Sequence, residues 1–170
     1  IQERVKDLEY SVVDHKNYFY IRNNGDGAKD FRVSKTEIAS PSKENWKNFV
    51  DHKAGDLIQG IDAFKEYFLL WYRKGGLPQI SIMNFETKEE HSLEFSEESY
   101  EVYPSAGREW DTCIFRYKYN SLATPLSVFD YDMKTKETTK RKEKVILGGF
   151  SSQNYITKRR LCKMVYGCCC

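Results

Sequence analysis

A strand-turn-strand unit occurs three times in this chain, and that recurrence restricts the fold more than any single motif does. Tyr18-Phe19-Tyr20-Ile21-Arg22 leads through Asn24-Gly25 into Phe31-Arg32-Val33. Tyr67-Phe68-Leu69-Leu70-Trp71 leads through Lys74-Gly75-Gly76 into Gln79-Ile80-Ser81-Ile82. Cys113-Ile114-Phe115-Arg116-Tyr117 leads through a polar stretch into Ser127-Val128-Phe129-Asp130-Tyr131. The units start at Tyr18, Tyr67 and Cys113, spacings of 49 and 46 residues. A period of roughly 40–50 residues with several short strands per unit is that of β-propeller blades. One blade cannot bury both of its faces, so it must stack on neighbours. The chain is therefore expected to be a piece of a larger ring.

Each unit reads as four strands. In the middle unit they are Leu57 to Phe64, Tyr67 to Tyr72, Gln79 to Phe85 and His91 to Phe95. Gly60 marks a bulge in the first of these; a helical turn over Ile61 to Phe64 is conceivable, but Gly60 argues against extending it backwards. Gly75-Gly76 supplies the positive φ that a tight hairpin requires. The first unit is expected to run from Leu8 to Val50, with Pro41 interrupting pairing before Trp46. The third is expected to run from Tyr100 to a last strand at Val145-Ile146-Leu147. Asn154 to Leu161 reads as one more strand.

Aromatic residues make up 15% of the chain, with 12 Tyr and 10 Phe, a bias towards strands. Charged residues are 31%, yet the net charge is only +2, so the two signs are interspersed. That is a solvated surface rather than a nucleic-acid footprint. The one basic run, Lys134 to Lys144, is broken by Glu137 and Glu143 and reads as a solvated hairpin with charged gatekeepers. No apolar run approaches the ~20 residues that span a membrane as a helix. The chain starts at Ile1 rather than Met, and the expectation is that the natural N-terminus lies further upstream. Cys113 and Cys162 stand alone, which fits reduced cysteines and a cytoplasmic location.

No arrangement of residues promises catalysis. Gly149-Phe150-Ser151-Ser152-Gln153 and Tyr103-Pro104-Ser105-Ala106-Gly107 each lack one glycine of the strained Gly-x-Ser-x-Gly turn that exposes a nucleophile. There is no phosphate-binding glycine loop and no His-Glu-x-x-His. His15, His52 and His91 are scattered one per unit or linker and read as turn or edge residues. The pairs Glu89-Glu90 and Glu97-Glu98 read as solvated. Cys168-Cys169-Cys170 has three readings: a soft-metal ligand, a lipid acceptor, or a truncation, splice or reading-frame artefact. Adjacent cysteines lack the spaced geometry of zinc ligands, and the artefact is favoured.

Several phrases together resemble the propeller domain of the oligopeptidase B family. They are Trp46 to His52, Glu66-Tyr67, Arg73 to Gln79, Glu90-His91, Arg116 to Pro125 and Phe129 to Glu137. The strongest is Val145-Ile146-Leu147-Gly148-Gly149-Phe150, followed by Asn154-Tyr155 and Arg160-Leu161. The resemblance covers about residues 8 to 162. Oligopeptidase B belongs to the prolyl oligopeptidase family of serine peptidases, which pair a seven-bladed propeller with an α/β-hydrolase domain. The resemblance implies an all-β fold: a partial seven-bladed β-propeller of about three consecutive four-stranded blades. Residues 1–150 would be the C-terminal blades. Residues 151–170 would connect them to a hydrolase domain missing from this chain, with an atypical Cys-rich end.

The implied activity is cleavage of short peptides after Lys or Arg, with the propeller capping the active site and excluding folded proteins. The implied partners are short basic peptides, through the full-length parent, and the hydrolase domain itself. Nucleic acid and membrane are not implied. The catalytic triad would lie outside this chain, so no catalytic residue, metal ligand or cofactor is expected here, and the substrate-binding residues are unknown. The alternative is a non-catalytic interaction module or a truncated product. In either case, blades cut from a ring are expected to expose end faces rich in Tyr, Phe, Leu and Ile.

Overall fold

A computed structural model describes residues 1–105, 109–160 and 162. Its strands form three four-stranded antiparallel sheets, each a meander of strands consecutive in the chain. The first sheet holds β1 (Tyr10–His15), β2 (Tyr18–Asn23), β3 (Arg32–Glu37) and β4 (Lys47–Val50). The second holds β5 (Asp56–Ala63), β6 (Tyr67–Lys74), β7 (Leu77–Asn84) and β8 (Glu90–Ser92). The third holds β9 (Glu101–Pro104), β10 (Ile114–Asn120), β11 (Ser127–Asp132) and β12 (Thr138–Glu143). The all-β expectation and the three four-stranded units stand. The helical turn weighed over Ile61 to Phe64 is instead the end of β5, where Ile61 pairs with Leu70 and Ala63 with Phe68.

The sheets stack face to face, with the second in the middle. Successive strand residues point to opposite faces, so β6 splits its apolar run between two cores. Phe68, Leu70 and Tyr72 join Tyr20 and Val33 of the first sheet, Phe31 just before β3, and Ile58 and Ile61 of β5. Tyr67, Leu69 and Trp71 join Ile80 and Ile82 of β7 and Phe115, Tyr117 and Tyr119 of the third sheet. A strand packed on both faces has no position left for a polar residue, which is why this segment reads as a continuous apolar run.

Two glycines serve the middle sheet. The β5–β6 register shifts between Ile58 and Gly60, the bulge that the sequence suggests. A Cβ at Gly60 would lie 2.4 Å from the Trp71 ring, so the bulge brings bare backbone against the indole. Gly75 and Gly76, at φ +54° and +83°, make the β6–β7 turn. Phe31 also takes a left-handed φ, +65°, which is uncommon for a bulky side chain. The Arg22 guanidinium stacks 3.4 Å over its ring, and Arg22 Nε donates to the Ile58 carbonyl at 2.7 Å, joining the first sheet to the second.

The third sheet corrects three expectations. Its fourth strand is Thr138–Glu143, not Val145 to Leu147. Every residue of β12 is exposed, so no apolar alternation marks it. It forms because β11 offers a free edge, whereas Val145 and Leu147 stay 81% and 91% exposed. Asn154 to Arg160 is not a strand: a 3-10 turn covers Ser152–Asn154 and the chain continues without ladder pairing. Leu161 and the Cys168-Cys169-Cys170 tail lie outside the described residues.

The third correction concerns the outer face of the third sheet. Away from the second sheet, β10 presents Ile114, Arg116 and Lys118. The buried Asp130 carboxylate accepts from Arg116 Nε at 2.6 Å and from Arg141 Nε at 2.7 Å. This face is charged, not rich in large apolar side chains. The far face of the first sheet keeps the expected apolar character in part: the register sets Tyr10, Val12, Phe19 and Ile21 on it, beside the buried Asn23, Ser34 and Thr36. Asn23 Nδ2 donates to Ser34 Oγ at 3.0 Å, and Thr36 Oγ1 donates to the Ser40 carbonyl at 2.9 Å.

Candidate functional site

Each sheet has two ends, and the sheets are fastened differently at each. At one end the β1–β2, β5–β6 and β9–β10 connections form a series. The Lys65 carbonyl lies 3.0 Å from His15 Nε2, the Lys65 N–H donates to the Trp110 carbonyl at 3.0 Å, and Lys65 Nζ reaches Asp111 Oδ2 at 2.7 Å. A groove of about 420 Å³ opens here, edged by Asp14, Lys16, Asp62 and Trp110. Asp62 is largely desolvated, which pushes its carboxyl up; the Ala63 N–H that donates to it offsets this only in part.

At the other end residues 151–160 cross the turns of the second and third sheets. The hairpin at Gly75-Gly76 is the anchor. Its backbone exposes two carbonyls because neither glycine carries a side chain to cover them. Arg73 Nη1 donates to the Gly76 carbonyl at 2.8 Å. The same guanidinium forks onto Glu101 of β9 at 3.1 and 2.9 Å, which ties the second sheet to the third. That paired hydrogen bond holds the arginine further towards its charged form. The Arg159 guanidinium donates to the Gly75 carbonyl, and the Arg159 N–H donates to Glu98 Oε2 at 3.1 Å.

Glu97 is the centre of this end. Tyr119 OH donates to its Oε1 at 3.0 Å and Thr124 Oγ1 donates to the same atom at 2.6 Å. Ser121 accepts from the Ala123 and Thr124 N–H groups at 2.9 and 2.8 Å, which shapes the β10–β11 turn. Burial pushes the Glu97 carboxyl up, but Ser121, Thr124, Thr157 and Tyr119 together hold it below the ordinary range. Tyr119 shifts the other way, raised first by burial and then by the adjacent carboxylate. Among the described residues, Glu97 Oε2 and Thr157 Oγ1 are buried without a hydrogen bond of ordinary geometry, although the Thr157 hydroxyl lies near enough to help hold the carboxyl low, and both residues line one depression of about 330 Å³. Leu122, 91% exposed, and Ile156, 78% exposed, stand at this same end.

The residues singled out in the sequence do not converge. His15 is the last residue of the edge strand β1, beside the β1–β2 turn, and is buried there, stacked on Phe85 at 3.9 Å. His52 follows β4, 4.0 Å from Asp30. His91 sits on β8, 5.9 Å from the Tyr131 ring. Burial lowers both His15 and His91. Ser105 and Ser151 neighbour no histidine hydrogen bond among the described residues. Glu89 pairs with Lys136 and Glu90 accepts from Ser81, so that pair is divided between two partners. Glu98 is exposed as expected, whereas Glu97 is not simply solvated. Cys113 is half-buried, Cys162 is exposed, and both are free. Among the described residues, no three His, Cys, Asp or Glu side chains converge as metal ligands.

Sequence reasoning missed Glu97, Thr157, Arg159 and the Arg73–Glu101 pair. Their partners lie 22 to 84 residues away, so no local spacing could have exposed them. What this arrangement can do is fasten and orient. It contains no nucleophile beside a base.

Known proteins of the same form add to this geometry. Residues 1–144 match the family described as the prolyl oligopeptidase N-terminal β-propeller domain. The chain is 26% identical over 156 residues to dipeptidyl aminopeptidase BI of Pseudoxanthomonas mexicana, covering 92% of this chain and 21% of that protein. It superposes on oligopeptidase B from Leishmania major with a TM-score of 0.84 at 25% identity, covering 93% of this chain and 23% of that one. Oligopeptidase B from Trypanosoma brucei, in a closed form with covalently bound antipain, gives a TM-score of 0.82 at 22% identity, covering 89% and 22%. The chain thus spans about a fifth of the length of these relatives. Among the described residues, no helix is long and apolar enough to cross a membrane.

Proposed function

This chain belongs to the prolyl oligopeptidase N-terminal β-propeller family, and from that premise we propose that it is three blades of the cap over a serine oligopeptidase's catalytic domain. The observation that carries the reading is the likeness to oligopeptidase B over 93% of the chain, at 25% identity and a TM-score of 0.84. The substrates are short peptides cleaved after Lys or Arg. The blades contribute no group to bond making or breaking. They exclude folded proteins by size and keep bulk water from the site beneath.

In this reading residues 1–150 are blades and residues 151–170 connect them to the hydrolase domain. The end crossed by residues 151–160 faces that domain. Exposed Leu122 and Ile156 support this, since apolar side chains gathered at one surface suit a covered interface. The free cysteines fit a cytoplasmic location.

Two measurements test the proposal. The full-length protein is expected to cleave an Arg-containing short peptide and to leave the same sequence intact within a folded protein. Equal cleavage of both would refute the cap. The 170-residue chain alone is expected to take up no active-site serine probe, and stoichiometric labelling would overturn the assignment of catalysis to another domain. A coding sequence without a Gly-x-Ser-x-Gly motif followed by Asp and His would favour an interaction module instead.

A further inference from the structure

We propose that residues 155–160 form a latch that fastens the outgoing chain to the seam between the second and third sheets. This rests on the reading above only in calling that segment a connector; the fastening itself stands on side-chain geometry. Three contacts make it. Thr157 is 6% exposed although its neighbours Tyr155 and Ile156 are 59% and 78% exposed, so one residue of an irregular segment is driven inward. It is driven to Glu97, whose Oε1 is already filled by Tyr119 and Thr124 and whose buried Oε2 has no other partner among the described residues. The Thr157 hydroxyl is likewise buried and has no other partner among the described residues. A donor and an acceptor left orphaned in one depression are each other's natural partners, because each unpaired buried group costs free energy.

The second contact is the Arg159 N–H to Glu98 at 3.1 Å, and the third is the Arg159 guanidinium on the Gly75 carbonyl. The Gly75-Gly76 turn is what couples the latch to the seam. Arg159 takes one of its carbonyls, and Arg73 takes the other while clasping Glu101 on β9. Lifting the segment therefore releases half of the turn that orients the inter-sheet ion pair. A connector held this way transmits a pull from outside the blades into the joint between two of them, instead of swinging freely.

The test uses the full chain and trypsin, since Lys158, Arg159 and Arg160 place three cleavage sites on the latch. The intact protein is expected to be cut there at least tenfold more slowly than a free peptide spanning 151–162. Thr157→Val keeps the shape and removes the donor, and Glu97→Gln keeps the volume and removes the charge. Each is expected to speed cutting at 158–160 by about tenfold while cutting within the strands stays within about twofold of wild type. Hydrogen exchange at the Arg159 amide is expected to quicken in parallel. Wild-type cutting as fast as the free peptide overturns the latch. So does a rate within twofold of wild type in Thr157→Val, whichever way Glu97→Gln behaves. None of these outcomes depends on peptidase activity, so the cap assignment stands or falls separately.

Discussion

The second and third sheets share a four-strand meander but differ on their faces. In β6 every position from Tyr67 to Tyr72 is apolar or aromatic, and the residues divide between two cores. In β10 buried Phe115, Tyr117 and Tyr119 alternate with exposed Ile114, Arg116 and Lys118. The backbone form is the same, and the number of covered faces sets the pattern. A period-2 alternation in this chain therefore signals a strand with one wet side, and an unbroken apolar run signals a strand packed on both.

Several measurements would break that contrast or sharpen it. The largest effect belongs to the middle of the stack. Leu69 has no exposure, and Leu69→Ala is expected to cost about 2–5 kcal/mol in urea unfolding, through lost transfer energy and a cavity. Lys118→Ala on the wet face of β10 is expected to stay within about 0.5 kcal/mol. Equal losses would end the distinction. Next is Gly60→Ala, expected to cost about 1–3 kcal/mol because the new methyl enters the Trp71 ring. An unchanged midpoint would mean that the bulge can move aside.

Gly75→Val or Gly76→Val comes third, at about 1–2 kcal/mol, since a β-branched residue is forced to positive φ in the hairpin. Gly76→Val has a second consequence, because its Cβ would come within 3.2 Å of Arg159 Nη2.

The smallest effect is on pH, and it separates the packed seam from the wet face by window. Burial lowers His15 within the first seam. The unfolded chain then binds its proton first, so this contribution is full above about pH 6.5 and declines as pH falls from there towards the folded value. Asp130 is held low, first by Arg116 and then by Arg141 after the opposing effect of burial. Its contribution is full above the unfolded value of about pH 4 and is lost as pH falls through the folded one. Thermal midpoints across this range are expected to show both declines, and His15→Gln should shrink the upper one without abolishing it, since burial lowers His91 as well. A single decline below about pH 4 in the wild type would remove His15 from the account.

The parts of this fold that were legible are those where a local rule and the tertiary structure agree. The Gly75-Gly76 turn, the bulge at Gly60 and the three apolar units all follow from local chemistry. β12 was not legible because Thr138–Glu143 has no buried position, and only the β11 edge makes it a strand. Val145 to Leu147 has the composition of a strand but follows β12 out into solvent and joins no sheet. Glu97 was hidden for a different reason. A glutamate followed by another glutamate looks solvated, and the hydroxyls that surround it come from positions 119, 121, 124 and 157. Only the packing of three separate segments brings them together.

The consecutive order of the strands in each sheet bears on how the chain is made. A ribosome delivers residues in sequence, and here no sheet waits for a strand from later in the chain. Contacts that close over short separations form fast, so each meander can assemble soon after its fourth strand emerges. The second sheet would then spend part of synthesis with Tyr67, Leu69, Ile80 and Ile82 facing water, until Phe115 and Tyr117 arrive to cover them. The interval of greatest exposure to chaperones and to mispairing falls between the synthesis of β8 and of β10, a vulnerability set by the order of translation and absent from the finished fold.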